Sequence, residues 1–99
     1  MMPTNYEAIG RCKVLAKEIE TLKANRNAAI MELRRQLYAT AGPGSITSAV
    51  FTFNAEQAHD TMKALEAADV ELMQAIAEFN EWAPQAEERM IQVKAPRES

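Results

Sequence analysis

The chain has 99 residues, of which 47% are apolar and 25% charged, a balance typical of a folded soluble domain. This length predicts a single domain over residues 1–99, and three glycines with four prolines are too few for an all-β fold rich in turns. No apolar run approaches the roughly 18 residues that a membrane span requires, so we expect no membrane association. The single cysteine excludes an internal disulfide, and the N-terminus lacks the pattern of a signal peptide. These features predict a cytoplasmic protein.

The first predicted element is a helix over residues 4–41. Thr4-Asn5-Tyr6-Glu7 has the spacing of a capping box, in which the Thr4 side chain accepts a backbone N–H and Glu7 reaches back. Ala41-Gly42-Pro43-Gly44 is a stop signal, because glycine tolerates the left-handed conformation at a helix end and proline cannot continue the helix. A helix of this length would extend over roughly 55 Å.

The connection, residues 42–53, is unusual because its second half is rich in β-branched and aromatic residues. That composition favours a short extended or irregular segment. The alternative is a helical turn with Ile46, Val50 and Phe53 on one face. Because the segment is too apolar for a solvent loop, we expect Val50, Phe51 and Phe53 to cover the end of the hairpin or to contact a second copy.

A second helix is predicted over residues 54–93, followed by a frayed tail, 94–99. Asn54 is its expected N-cap. Pro84 removes one helical hydrogen bond and crowds the Asn80 carbonyl, so the helix either kinks there or stops and restarts. Since the apolar spacing continues through Met90 and Val93, we favour a continuous helix that is kinked near Pro84.

Both helices carry apolar residues at alternating spacings of three and four, the heptad pattern of a coiled coil. Each pattern contains one charged residue, Arg26 in the first helix and Asp69 in the second. An antiparallel register that sets Arg26 opposite Asp69 also sets apolar residues opposite each other along the whole seam. The pattern therefore predicts an all-α, coiled-coil-like hairpin whose register is specified by an Arg26–Asp69 ion pair. The alternative is that both side chains reach solvent separately.

A two-helix hairpin buries one seam and leaves outer stripes exposed, Met31 and Tyr38 among them. The pattern favours a homodimer that forms a four-helix bundle, or a higher homo-oligomer, although alanines on an exposed face also simply favour a helix. Trp82 lies off the seam, where it either anchors an interface or covers the kink. The candidate interface residues are thus Met31, Tyr38, Val50, Phe51, Phe53 and Trp82.

No constellation of residues indicates catalysis. The single histidine, His59, has no second metal ligand near it, and Cys12 lies on the seam without a base. We therefore expect no enzyme activity, no cofactor, no metal and no catalytic residue.

The charges are divided between the two halves of the chain. Residues 1–45 carry seven Lys/Arg and four acidic residues, whereas residues 46–99 carry four Lys/Arg and ten acidic residues. This pattern predicts a helical interaction protein that presents charged faces to a protein partner. One alternative is a phage-type inhibitor or decoy whose acidic second helix occupies the basic cleft of a nucleic-acid enzyme. A less favoured alternative is a nucleic-acid-binding accessory that uses the basic first helix, because a net charge of −3 argues against nucleic acid.

Overall fold

In a computed structural model, which describes residues 5–41 and 49–96, the chain forms a helical hairpin. Helix α1 spans Tyr6–Ala41 and helix α2 spans Ala55–Trp82, and the two pack against each other. A short 3-10 helix, Ala83–Ala86, follows α2 directly. Neither described range contains a strand, so the predicted all-α class is confirmed.

The N-terminal caps of both helices are asparagines. Asn54 accepts the Gln57 backbone N–H on its Oδ1 at 3.0 Å, as predicted. At the start of α1, Asn5 accepts the Ala8 backbone N–H on its Oδ1 at 3.0 Å. The predicted start at residue 4 is therefore corrected to Tyr6, since Asn5 is the cap and accepts the N–H of Ala8, one residue later than the capping box on Thr4 predicted. Thr4 itself lies outside the described residues, as does the predicted stop at residues 42–44.

The connection is irregular where it is described, over residues 49–54. The alternative prediction of a helical turn is therefore wrong at Val50 and Phe53. Residues 45–48 lie outside the described part of the chain. Asn54 ends the connection because its side chain caps α2.

The prediction that the second helix continues to residue 93 is wrong. Ala83 donates the last helical backbone bond, to the Phe79 carbonyl, and Pro84 has no N–H with which to continue the ladder. The Glu88 N–H bonds the Ala83 carbonyl at 2.9 Å, and Glu87 between them adopts a left-handed conformation with φ 58°. The chain thus reverses direction immediately after the 3-10 helix.

After this reversal, residues 88–94 run back along the hairpin as a nonhelical segment that we call the strap. The Asn80 side chain makes two hydrogen bonds to the strap backbone at Ile91. Its Nδ2 donates to the Ile91 carbonyl at 2.9 Å, and its Oδ1 accepts the Ile91 N–H at 2.8 Å. The Ile91 side chain packs against the core, whereas Met90 and Val93, which we placed on the seam, are exposed.

The main buried cluster lies in the half of the hairpin nearest the helix ends Tyr6 and Trp82, which we call the open half, and Ala58 is also buried in the other half. The predicted register holds in the open half, with Ile19 and Ile76 both buried and Cys12 and Ala83 both buried. The cluster comprises Cys12, Leu15, Ile19, Leu22, Leu72, Ala75, Ile76, Phe79 and Ala83.

The Arg26–Asp69 ion pair that the register predicts lies at the border of this core. Arg26 Nη1 donates to Asp69 Oδ1 at 2.8 Å, and the two side chains are 31% and 49% exposed. Because both groups keep contact with water, the pair specifies register more than it adds stability.

We expect a double-mutant cycle on Arg26→Leu and Asp69→Leu, followed by urea unfolding, to give a coupling energy of about 1 kcal/mol, the value of a partly solvated pair. The double variant should be close to the wild type in stability, because neither charge is left unpaired. Exchanging the residues, Arg26→Asp with Asp69→Arg, should recover most of the loss seen in each single charge reversal. A coupling energy near zero would contradict this account of the register.

Candidate interaction surface

The seam is open in the half of the hairpin nearest Ala41 and Ala55, which we call the turn half. Here Ile30 is 42% and Met62 is 53% exposed, and Leu33 and Leu65 are only half-buried. Together with Arg26, Glu66 and Asp69, these four side chains line a groove of about 420 Å³. We call the surface formed by Ile30, Leu33, Met62 and Leu65 the turn-half groove. Apolar side chains that face each other yet remain accessible are typical of an interaction surface.

A polar layer lies between the turn-half groove and the end of the hairpin. Gln36 is 8% exposed, and its Nε2 donates to Thr61 Oγ1 at 2.8 Å and to Glu32 Oε1 at 3.2 Å. Its Oε1 is buried and has no hydrogen-bond partner among the described residues. This layer interrupts the apolar seam, so packing between the helices is weaker here than in the open half.

Glu32 and Arg35 extend this polar layer on the surface of α1. Arg35 Nε donates to Glu32 Oε2 at 3.0 Å, and Arg35 Nη2 bonds the other carboxylate oxygen. These bonds, followed by the one from Gln36, lower the pKa of Glu32 from 4.5 to about 2. The carboxylate therefore stays charged throughout the range in which the hairpin would operate.

The connection brings two aromatic side chains to the turn end. Phe51 and Phe53 are each about half exposed and line a cavity of about 220 Å³ with residues of α1, including Gln36 and Thr40. Val50 is 95% exposed. The predicted interface residues of the connection are thus accessible and lie beside the polar layer.

The other predicted interface residues are not on one surface. Met31 and Tyr38 are exposed on α1 in the turn half, and the Arg34 guanidinium lies 5.5 Å from the Tyr38 ring centroid. Trp82, by contrast, packs against the open-half core with the Arg11 guanidinium 5.8 Å from its ring centroid. Trp82 therefore covers the end of the core and is separated from the other five residues by the length of α2.

The division of charge follows the two helices. Helix α1 carries seven Lys/Arg and four Glu, whereas α2 carries seven acidic residues and one lysine. Across the described ranges, the salt bridges are Glu20–Lys23, Arg26–Asp69 and Glu32–Arg35, so only Asp69 of the α2 acids is paired. By helical spacing, Asp60, Glu71 and Glu78 share the side of α2 that faces away from α1. The hairpin consequently has one basic and one acidic edge.

Among the described residues, Cys12 and His59 lie at opposite ends of the hairpin. Burial, followed by the nearby charge of Glu88, raises the pKa of the Cys12 thiol, which disfavours the nucleophilic thiolate. His59 is exposed on α2. Within residues 5–41 and 49–96, no group of three His, Cys, Asp or Glu side chains converges as metal ligands require. In the same ranges, neither long helix has the apolar stretch needed to cross a bilayer.

Three residues that shape this surface were not identified from the sequence. Gln36 was missed because the heptad spacing assigned this turn of the seam to its neighbour Leu37, which is in fact 50% exposed. Asn80 and Ile91 are joined across eleven residues by the chain reversal. The available signal was Pro84, four residues after Asn80, since it marks the point where a helix can end.

Comparison with protein-family models, with curated proteins and with solved structures gave no match to this chain. Its function is therefore argued from its own residues.

The lowered pKa of Glu32 predicts a specific pH dependence of stability. A carboxylate whose folded pKa lies below its unfolded value stabilises the fold above the unfolded pKa, and this contribution disappears as pH falls. The difference in unfolding free energy between the wild type and Glu32→Gln should be constant near neutral pH and should shrink between about pH 4.5 and about pH 2. Urea unfolding at a series of pH values measures it. Glu18→Gln, an exposed position on α1 with no salt bridge in the described ranges, is the control for removing a carboxylate from this helix.

Proposed function

We propose that this chain is a non-enzymatic helical interaction protein that associates with a second copy through the turn-half groove. The product would be a four-helix bundle that presents charged helix faces to a protein partner. The observation that carries this proposal is that Ile30, Leu33, Met62 and Leu65 face one another across the seam but are not enclosed.

The total surface of the chain supports an additional interface. A compact monomer of 11.0 kDa would expose about 5,600 Å². This chain exposes 8255 Å², and a standard interface removes about 800 Å² from each partner. The difference reflects the elongated shape of two packed helices, which leaves room for an interface of this size along the hairpin.

Charge and symmetry favour a second copy as the partner of the groove. A two-fold axis parallel to the helices would set α1 of each copy against α2 of the other. The net-positive helix of one copy would then flank the net-negative helix of the next on both sides of the apolar contact. Met31, Tyr38, Val50, Phe51 and Phe53 are candidates for the rim of this interface, since all are exposed in the turn half.

Ile30→Glu tests this association. A carboxylate in the centre of the groove would be desolvated by the second copy, so we expect the dimer dissociation constant to rise by roughly a hundredfold. Val14→Glu is the matched control, because Val14 is an exposed aliphatic residue of the same helix that lies outside the groove. Sedimentation equilibrium at several concentrations gives the constants. A wild type that remains monomeric, or equal constants for the two variants, would refute the proposal.

A second candidate function is an inhibitor or decoy that occupies the basic cleft of a nucleic-acid enzyme. It is favoured by the acidic edge of α2, where Asp60, Glu71 and Glu78 make no salt bridge with described residues. The same edge argues against direct binding of nucleic acid by the hairpin.

Charge neutralisation distinguishes this candidate from a partner bound through apolar contacts. Asp60→Asn with Glu71→Gln and Glu78→Gln should weaken capture of a basic protein partner at least tenfold and reduce the salt dependence of capture. The control carries Glu7→Gln, Glu18→Gln and Glu20→Gln on α1 and should bind as the wild type does. Equal loss in both variants would indicate that total charge, and not the acidic edge, governs binding. A gel shift of duplex DNA by the wild type would contradict both candidates.

A further inference from the structure

The strap and the turn-half groove lie on one continuous surface. Strap residues 91–94 line a cavity with Ile19, Met73 and Ile76, and Arg26 belongs to this cavity. Arg26 also lines the turn-half groove. The two cavities therefore meet at Arg26, which pairs with Asp69 there, and the strap lines the open-half cavity but not the turn-half groove.

The surface beneath the strap resembles the uncovered portion in its chemistry. Ile19, Leu72, Ile76 and Phe79 lie beside the strap, as Ile30, Leu33, Met62 and Leu65 lie in the turn half. The first four are buried, whereas the second four are accessible. The strap lies beside the first group, whereas no described segment lies over the second.

The strap is held at one position. Asn80 bonds the backbone of Ile91, and the Ile91 side chain is the strap residue that packs against the core. Met90, Gln92, Val93 and Lys94 are exposed. A cavity of about 490 Å³ remains between the strap and the helices. The strap therefore makes fewer dispersion contacts with the helices than a close-packed segment would make.

The link to the strap stores conformational strain. Glu87 has a side chain and yet adopts φ 58°, a region that non-glycine residues rarely occupy. This conformation also caps the 3-10 helix, since the Glu87 N–H bonds the Pro84 carbonyl at 3.3 Å, and it marks the point where the strap leaves that helix.

We infer that the strap is a displaceable cover that limits self-association, and that its release lets a second copy dock along the entire inter-helical groove. This inference rests on the proposed function, because it regulates the same surface. The occupant is a second copy, since the newly exposed stretch continues the groove through which we propose that the hairpins meet. Each copy would then contribute its own Ile19, Ile76 and Phe79 to the enlarged contact.

Ile91→Ser in the full chain tests the inference, with Met90→Ser as the matched control, because Met90 is the preceding strap residue and is exposed. Hydrogen exchange at the residue 91 amide reports strap release, since this N–H donates to Asn80 in the closed form. We expect exchange at least tenfold faster and a dimer dissociation constant at least tenfold lower in Ile91→Ser than in Met90→Ser. Asn80→Ala should reproduce both changes by removing the backbone bonds.

A synthetic peptide of residues 88–96 distinguishes a defined groove from nonspecific exposure of apolar surface. Added in trans to Ile91→Ser, it should occupy the groove and return the dissociation constant to that of the control. The same peptide with serine at position 91 should have no effect. Assembly that neither peptide alters would overturn the inference.

Failure of this inference is separable from failure of the proposed function. If the wild type dimerises through the turn half but strap release leaves the dissociation constant unchanged, only the inference is refuted. Unchanged exchange in both Ile91→Ser and Asn80→Ala also refutes it, because the strap would not be held as described. If the wild type is monomeric but Ile91→Ser forms dimers that the added peptide dissociates, the proposed turn-half interface is refuted and the inference about the strap is not.

Discussion

Two helices enclose only one line of contact, and this constraint governs the whole molecule. A residue in the seam of a hairpin has a neighbour across from it, and a third segment that lies over the seam adds to its burial. In the open half the strap supplies that segment, and Ile19, Ile76 and Phe79 are buried beside it. In the turn half no described segment covers the groove, and Ile30 and Met62 stay exposed.

The polar residues of the seam are placed where this covering ends. Arg26 and Asp69 pair at the border between the two halves, and both retain access to water. Gln36 and Thr61 form a second polar layer nearer the turn. Gln36 is buried, so a shifted register would leave its side chain without Thr61, whereas the partly exposed Arg26–Asp69 pair favours the register through its attraction alone. The hairpin thus combines a well-specified register with an incompletely enclosed core.

Pro84 connects the architecture to the proposed function. By ending α2 it allows the chain to reverse, and the reversal brings Ile91 to Asn80. The same sequence without a helix stop would have continued as a straight coiled coil with both sides of the seam equally open. The consequence is a hairpin with a covered half and an accessible half, which is the asymmetry on which self-association and its limitation by the strap would depend.

The sequence by itself determined the helical class, the antiparallel register, the Asn54 cap and the division of charge, because these depend on local periodicity and on residues a few positions apart. Only the tertiary structure determined the backbone conformation of residues 83–94. Met90 and Val93 keep the heptad spacing although the backbone there is not helical, so periodicity could not distinguish a continued helix from a reversed strap. Residues 88–94 form the strap because Ile91 bonds Asn80 and packs against an apolar surface to which both long helices contribute. That apolar surface exists only once the hairpin has formed, so no local sequence pattern could predict the strap.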